Sequence, residues 1–293
     1  MKWIALTVVA VVVSAQAFAQ QAAERLIVKS KTEITFPDNP NRRGGGDGDG
    51  FGGGPSGMES KNTVYFKGDF IKTQSQSDFG NNTVIIDRKN KRTTTLTEAM
   101  GKKSGFYITE EEQNKMRENN QKRMDSVRAA RGENAGGQRN AQQSAPEIEY
   151  TSETKKIAGY NCKKAIIKTK NRQGEISETI VWYTTDIKRP EGYPVGGNNT
   201  GGGGGFAMSF RGSGGGGLGG FSGLDKIDGF IMGYSMSRPN GFKMETQVTS
   251  IEVNPDIDDK VFEIPKGFDI KPASEMQQSF NRGFNGGGPP GGQ

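Results

Sequence analysis

Histidine is absent from the 293 residues of this chain, and cysteine occurs once, at Cys162. The first absence removes the commonest general base, the usual zinc ligand and every histidine-dependent catalytic triad. The second removes any intrachain disulfide. Apolar residues are also scarce, at 31% of the chain. After the N-terminal segment no run is apolar enough to cross a membrane. Charge leans weakly to one sign, with 39 Lys and Arg against 33 Asp and Glu for a net +6. The lysines are spread along the chain, the pattern of solvated faces and not of a nucleic-acid footprint. What is abundant is glycine, at 44 residues.

The first residues read as an export signal. Lys2 supplies the positive start, Ile4 to Val13 is a short apolar run, and Ala17-Phe18-Ala19 is a small-x-small cleavage site. Cleavage after Ala19 leaves Gln20 at the new N-terminus and places the protein in the periplasm or outside the cell. No cysteine follows the apolar run, so no lipoprotein anchor is expected, and no transmembrane anchor remains after cleavage.

The remainder reads as a mainly β (α+β) fold. Residues 20–270 form a single domain with insertions at 41–57, 110–146 and 190–223, and residues 271–293 form a disordered glycine-rich tail. In Glu24 to Phe36, Leu26, Val28, Ile34 and Phe36 fall on one face and Arg25, Lys29, Lys31 and Glu33 on the other, with Ile27 the exception. Short strands follow from Asn62 to Thr109, and Gly68-Asp69, Gly80-Asn81-Asn82 and Lys89-Asn90-Lys91 read as the turns of an antiparallel meander. Thr109-Glu110-Glu111-Glu112 has capping-box spacing and opens a polar helix reaching about Arg131. Tyr160–Thr169 and Ile176–Thr185 form a hairpin around Gly174, expected to be the central pair of the sheet. Phe242, Met244, Thr246 and Val248 alternate, and a β-bulge near Thr249 accounts for the phase change before Ile251 and Val253. Val261 to Phe268 is read as a closing strand and turn.

Thr154-Lys155-Lys156-Ile157-Ala158-Gly159-Tyr160-Asn161-Cys162-Lys163-Lys164-Ala165 resembles the "kkIaGykCkka" signature of a secreted bacterial family of domains of unknown function. Val181 to Ile187 is similar to its "vWyt.di" strand, and Asp258 to Phe268 to its closing "d..lFeiPkGy". The resemblance spans residues 62 to 270. It implies a fold like the lipoprotein carriers LolA and LolB, a curved antiparallel half-barrel with a helical lid, and a relation to the GLPGLI envelope proteins. Where the Gly-Leu-Pro-Gly element of that group would stand, this chain has its glycine-rich insertion and Leu224 to Met232. The family has no assigned catalytic residues, so none is carried over.

These readings converge on an exported, non-enzymatic envelope protein without a cofactor or metal. It would bind an apolar ligand, a lipid or acyl group, on the concave face of the half-barrel. Trp182, Tyr160, Tyr65, Phe70, Met232 and Met244 are the candidate lining residues; methionine suits adaptable apolar contacts. The alternative is a structural or interaction protein that meets an envelope partner through its glycine-rich loops. Cys162 on a β-rich strand is read as a small buried hydrophobe. Asp47-Gly48-Asp49-Gly50 has aspartates in a glycine loop, but Phe51 and Met58 stand where an EF-hand needs oxygen ligands.

Overall fold

The computed structural model describes residues 21–36, 57–131, 145–170, 174, 176–194, 223–238 and 241–275. The export signal, the Asp47–Asp49 loop, most of the glycine-rich stretches and the tail after residue 275 lie outside the described residues.

The two-residue β1 (Gln21–Ala22) precedes β2 (Arg25–Thr35). β3 (Gly57–Lys67), β4 (Phe70–Ser77), β5 (Gly80–Asp87), β6 (Arg92–Ala99) and β7 (Lys102–Thr109) follow as an antiparallel meander. The helix α1 (Glu110–Arg131) leaves the end of β7. Its start is the expected capping box: Glu112 N–H donates to Thr109 Oγ1 (3.2 Å), and Thr109 N–H donates to Glu112 Oε2 (3.0 Å). β8 (Glu147–Ile157), β9 (Tyr160–Lys170) and β10 (Ile176–Thr184) form a second meander. The two-residue β11 (Ile187–Lys188), β12 (Phe230–Ser237), β13 (Lys243–Val253) and β14 (Asp269–Pro272) complete the strands.

Twelve of these strands make one open, curved sheet in the order β14-β7-β6-β5-β4-β3-β2-β13-β12-β10-β9-β8. Every pairing in it is antiparallel except β14 beside β7. β1 and β11 form a separate parallel pair. The joint between the meanders is β2, which pairs along its whole length with β3 on one side and with β13 on the other. The β9–β10 hairpin therefore lies next to the β8 edge, away from the centre where the strength of its β pattern suggested it would sit. Pattern strength reports how a strand packs, and the position in the sheet is set by which strands reach β2.

Several local features follow from residue chemistry. The register of β13 against β2 shifts between Val248 and Ser250, so Thr249 is the bulged residue that the phase change in the sequence implies. The turn from β4 to β5 is Asp78-Phe79, two residues before the expected one, and Gly80 already belongs to the strand. Gly80 has φ 134°, and a Cβ there would come within 2.3 Å of the Glu98 carbonyl oxygen. Glycine is needed at that position for close approach of β6 and not for the turn. Val261 and Phe262 lie in a 3-10 turn, Asp259–Phe262, in place of the expected closing strand. Asp258 Oδ1 accepts from Lys260 N–H (2.9 Å) to start that turn, and Phe262 stacks on Phe70 with ring centroids 5.6 Å apart.

The largest core cluster joins the two halves of the sheet. It gathers Leu26, Val28 and Phe66 from the β2–β3 side with Ile157, Cys162, Ile187, Phe230 and Met232 from the far side. A second cluster lies under the 3-10 turn Leu224–Lys226 and contains Ala165, Ile167, Val181, Tyr183, Leu224 and Ile227. A third, Ile34, Phe242 and Met244, is flanked by Met58 and Met236.

Candidate functional site

The ladders from β2 to β6 run without a register shift, so residues paired across them share one face of the sheet. Strand β13 joins them in register from Lys243 to Val248 and again from Ser250 to Val253. Tracing these pairs separates the side chains completely by charge. Lys29, Lys31, Glu33, Lys61, Lys72 and Glu245 belong to one face, and so does every other charged residue of β2–β6 and β13. The opposite face of the same strands carries only Ser, Thr, Asn, Gly, Ala, Val, Ile, Leu, Met and Phe.

The neutral face has a polar band with apolar flanks. Successive rows pair Met58 with Ile34 and Met244, then Ser60 with Thr32 and Thr246, then Asn62 with Ser30 and Ser75, then Val64 with Val28 and Thr73. The polar side chains of the middle rows are linked across strands. Thr32 Oγ1 and Thr246 Oγ1 are 3.0 Å apart, with either able to donate. Asn62 Nδ2 donates to Thr32 Oγ1 (3.2 Å) and Ser60 Oγ (3.5 Å), while its Oδ1 accepts from Ser75 Oγ (2.6 Å). Tyr234 on β12 adds its hydroxyl through Thr246; burial pushes the Tyr234 phenol above its usual range, and the Thr246 bond offsets part of that. Further along, Asn82 Nδ2 donates to Thr97 Oγ1 (3.4 Å). Thr32 is 9% exposed, whereas Ser60, Asn62, Ser75 and Thr246 are half-buried. The ladder is therefore reachable without being fully solvated.

The charged face is partly roofed by the segment after β13. Lys67 Nζ donates to the Ile257 carbonyl (2.7 Å) and to Asp259 Oδ1 (2.6 Å), and Lys72 Nζ donates to the Val261 carbonyl (2.7 Å). Lys72 is 7% exposed, and the loss of hydration lowers its pKa from the usual lysine value.

The six sequence-derived lining residues are spread over both faces. Met244 is on the neutral face at its methionine flank, 8% exposed. Tyr65 pairs with Ile27 and Lys72 and so lies on the charged face, where Phe70 also sits beneath Phe262. Met232 is fully enclosed in the largest core cluster. Trp182 and Tyr160 are half-buried against that cluster, and the Lys155 ammonium stands 4.5 Å from the Trp182 ring centroid. Cys162 is buried there as well; burial pushes its thiol up to about 11, which leaves it protonated and unreactive at neutral pH. The residues that reading from sequence passes over are Thr32, Ser60, Asn62 and Ser75. Their signal is phase: each stands in step with the core-facing Val28, Ile34 and Val64, where a solvent-facing strand residue would be out of step.

Among the described residues no three acidic, cysteine or histidine side chains gather as a metal site, and no helix is long and apolar enough to cross a membrane. No family model matches the chain, and no curated protein matches it. Among solved structures, PNGF-II is similar in two crystal forms. The C2 form has a TM-score of 0.34 at 17% identity, covering 87% of this chain and 32% of that one. The P21 form has a TM-score of 0.33 at 18% identity, covering 88% and 33%. The chain thus spans about a third of the PNGF-II chain. A domain from Vibrio parahaemolyticus described as an outer membrane lipoprotein-sorting protein aligns over 82% of this chain and 89% of its own, with a TM-score of 0.26 at 8% identity. At these scores the likenesses assign neither a fold family nor a function.

Proposed function

We propose that the protein is an exported, non-enzymatic envelope component that binds an apolar or amphiphilic molecule, a lipid or acyl-bearing compound, on the neutral face of its sheet. One observation carries this reading: the complete segregation of charge across β2–β6 and β13. A sheet face turned to water would carry lysine and glutamate, as the opposite face does. A face filled only by its own core would be aliphatic throughout, without a half-buried band of hydroxyls. The Leu26, Val28 and Phe66 end of this face is closed by the largest core cluster, and its half-buried part, Asn62, Ser60, Ser75 and Thr246 with Met58 and Met236, suits a guest that is mostly apolar. The half-barrel and helical lid implied by the family resemblance belong to this reading.

Nile red, an uncharged dye that brightens in apolar sites, tests the proposal together with native mass spectrometry of protein purified from the envelope. The expected results are dye fluorescence that saturates with protein and is competed by an alkyl amphiphile, and a mass adduct removed by organic extraction. Ser60→Asp, which puts a charge on the half-buried part of the neutral face, should abolish dye binding while retaining the β circular dichroism signal. Bare protein mass with no dye response would overturn the reading.

A further inference from the structure

Taking the neutral face as the binding surface, the geometry points to a guest whose head is uncharged and hydroxyl-bearing, seated on the Thr246–Thr32–Asn62–Ser75 ladder with its alkyl chain over Met58 and Met236. The inference rests on the functional reading above and narrows it to one ligand class, neutral-headed single-chain amphiphiles. Monoacylglycerols and alkyl glycosides have that chemistry; fatty-acid anions and phospholipids do not.

Three features of the face support this. The first is the missing counter-charge. An ionised carboxylate or phosphate placed on the ladder would meet no Lys or Arg on that face of β2–β6 or β13, because all of them project from the other side. Losing hydration without a paired charge is costly, so an anionic head is disfavoured there. The second is the kind of hydrogen bonding on offer. Ser60, Ser75, Thr32 and Thr246 are hydroxyls that both donate and accept, and each keeps at least one donor or acceptor position beyond the bonds of the ladder. Such a set matches a head made of hydroxyls, which also donate and accept. The third is position: the row next to the ladder is Met58, Ile34, Met244 and Met236, with Met58 and Met236 half-buried. A chain attached to the head would run over adaptable methionine side chains without crossing another polar row.

The test uses the protein without its export segment and three competitors of equal chain length against Nile red: a monoacylglycerol, the corresponding fatty acid at pH 8, and a phosphatidic acid with one acyl chain. The expected order places the monoacylglycerol at least about tenfold tighter than either anion. The gap to the fatty acid should close as the pH is lowered and its carboxylate is protonated. Asn62→Lys supplies the missing cation and should reverse the preference toward the fatty acid. Thr246→Val, close to isosteric, should weaken the monoacylglycerol relative to the fatty acid while retaining the β circular dichroism signal, which separates loss of the ladder from loss of the fold. Equal affinity for neutral and anionic competitors would overturn the head-group assignment and leave the functional reading standing. No displacement by any of them, with no dye binding, would overturn both.

Discussion

Lys72 shows how a single residue reports the packing around it. Its ammonium is covered by the segment that follows β13 and has the Val261 carbonyl as a hydrogen-bond acceptor at 2.7 Å. Desolvation lowers its pKa, so in the alkaline range the folded chain binds fewer protons at this site than the unfolded chain does. Stability contributed by this site therefore rises as the pH climbs from the lowered native value toward the unfolded value of about 10.4. The penalty for holding the charged form is fully present below that window. Urea denaturation of wild type and Lys72→Met from pH 7 to pH 10 should show the wild type gaining on the variant. Parallel curves would mean that Lys72 keeps its ordinary pKa and that the cover over it is looser than the structure shows.

At the scale of elements, the turn between β8 and β9 is the clearest case of local chemistry at odds with the sequence. Both turn residues have positive φ, 48° at Ala158 and 89° at Gly159, as a two-residue type I′ hairpin turn requires. Alanine is strained in the left-handed region and glycine is not. Ala158→Gly should therefore stabilise the protein by about 1 kcal/mol, read as a higher denaturation midpoint with unchanged urea dependence. The strand after the turn was legible, since Tyr160–Lys170 and its partner Ile176–Thr184 match the hairpin read from the sequence within a residue, whereas β8 before the turn was not read as a strand. The strained alanine was not, because φ depends on how tightly the strands close and residue identity argued against it. The same holds for Gly80, where the glycine marks a close approach by β6 and not the turn.

On the scale of the whole molecule, β2 and the largest core cluster make the two meanders interdependent. Phe66 from β3 and Phe230 from β12 lie in one cluster, and Tyr193 packs against both, with ring centroids 5.9 and 5.1 Å away. Phe66→Ala should cost about 3 to 5 kcal/mol. The loss should appear equally in far-ultraviolet circular dichroism and in the fluorescence of Trp182, on the other side of the sheet, which is the only tryptophan in a chain beginning at Gln20. A tryptophan transition left in place while the circular dichroism transition moves would mean that the halves unfold separately.

Period and composition were enough to reveal the strand-rich class, the neutral and charged sides of β2, the bulge at Thr249 and the capped start of α1. Each depends on residues close together in the chain. What required the tertiary structure was the partner of each strand and the depth of each side chain. Nothing near Phe70 or Trp182 in the chain reveals that Phe262 roofs the first, or that Lys155 covers the second. Nor do Thr32, Asn62, Ser75 and Thr246 stand out singly. They become a ladder only because β2 draws β13 and β3 to its two sides in register, bringing residues more than two hundred positions apart within hydrogen-bond distance. Local sequence encodes which way a side chain points, and long-range pairing decides what it meets there.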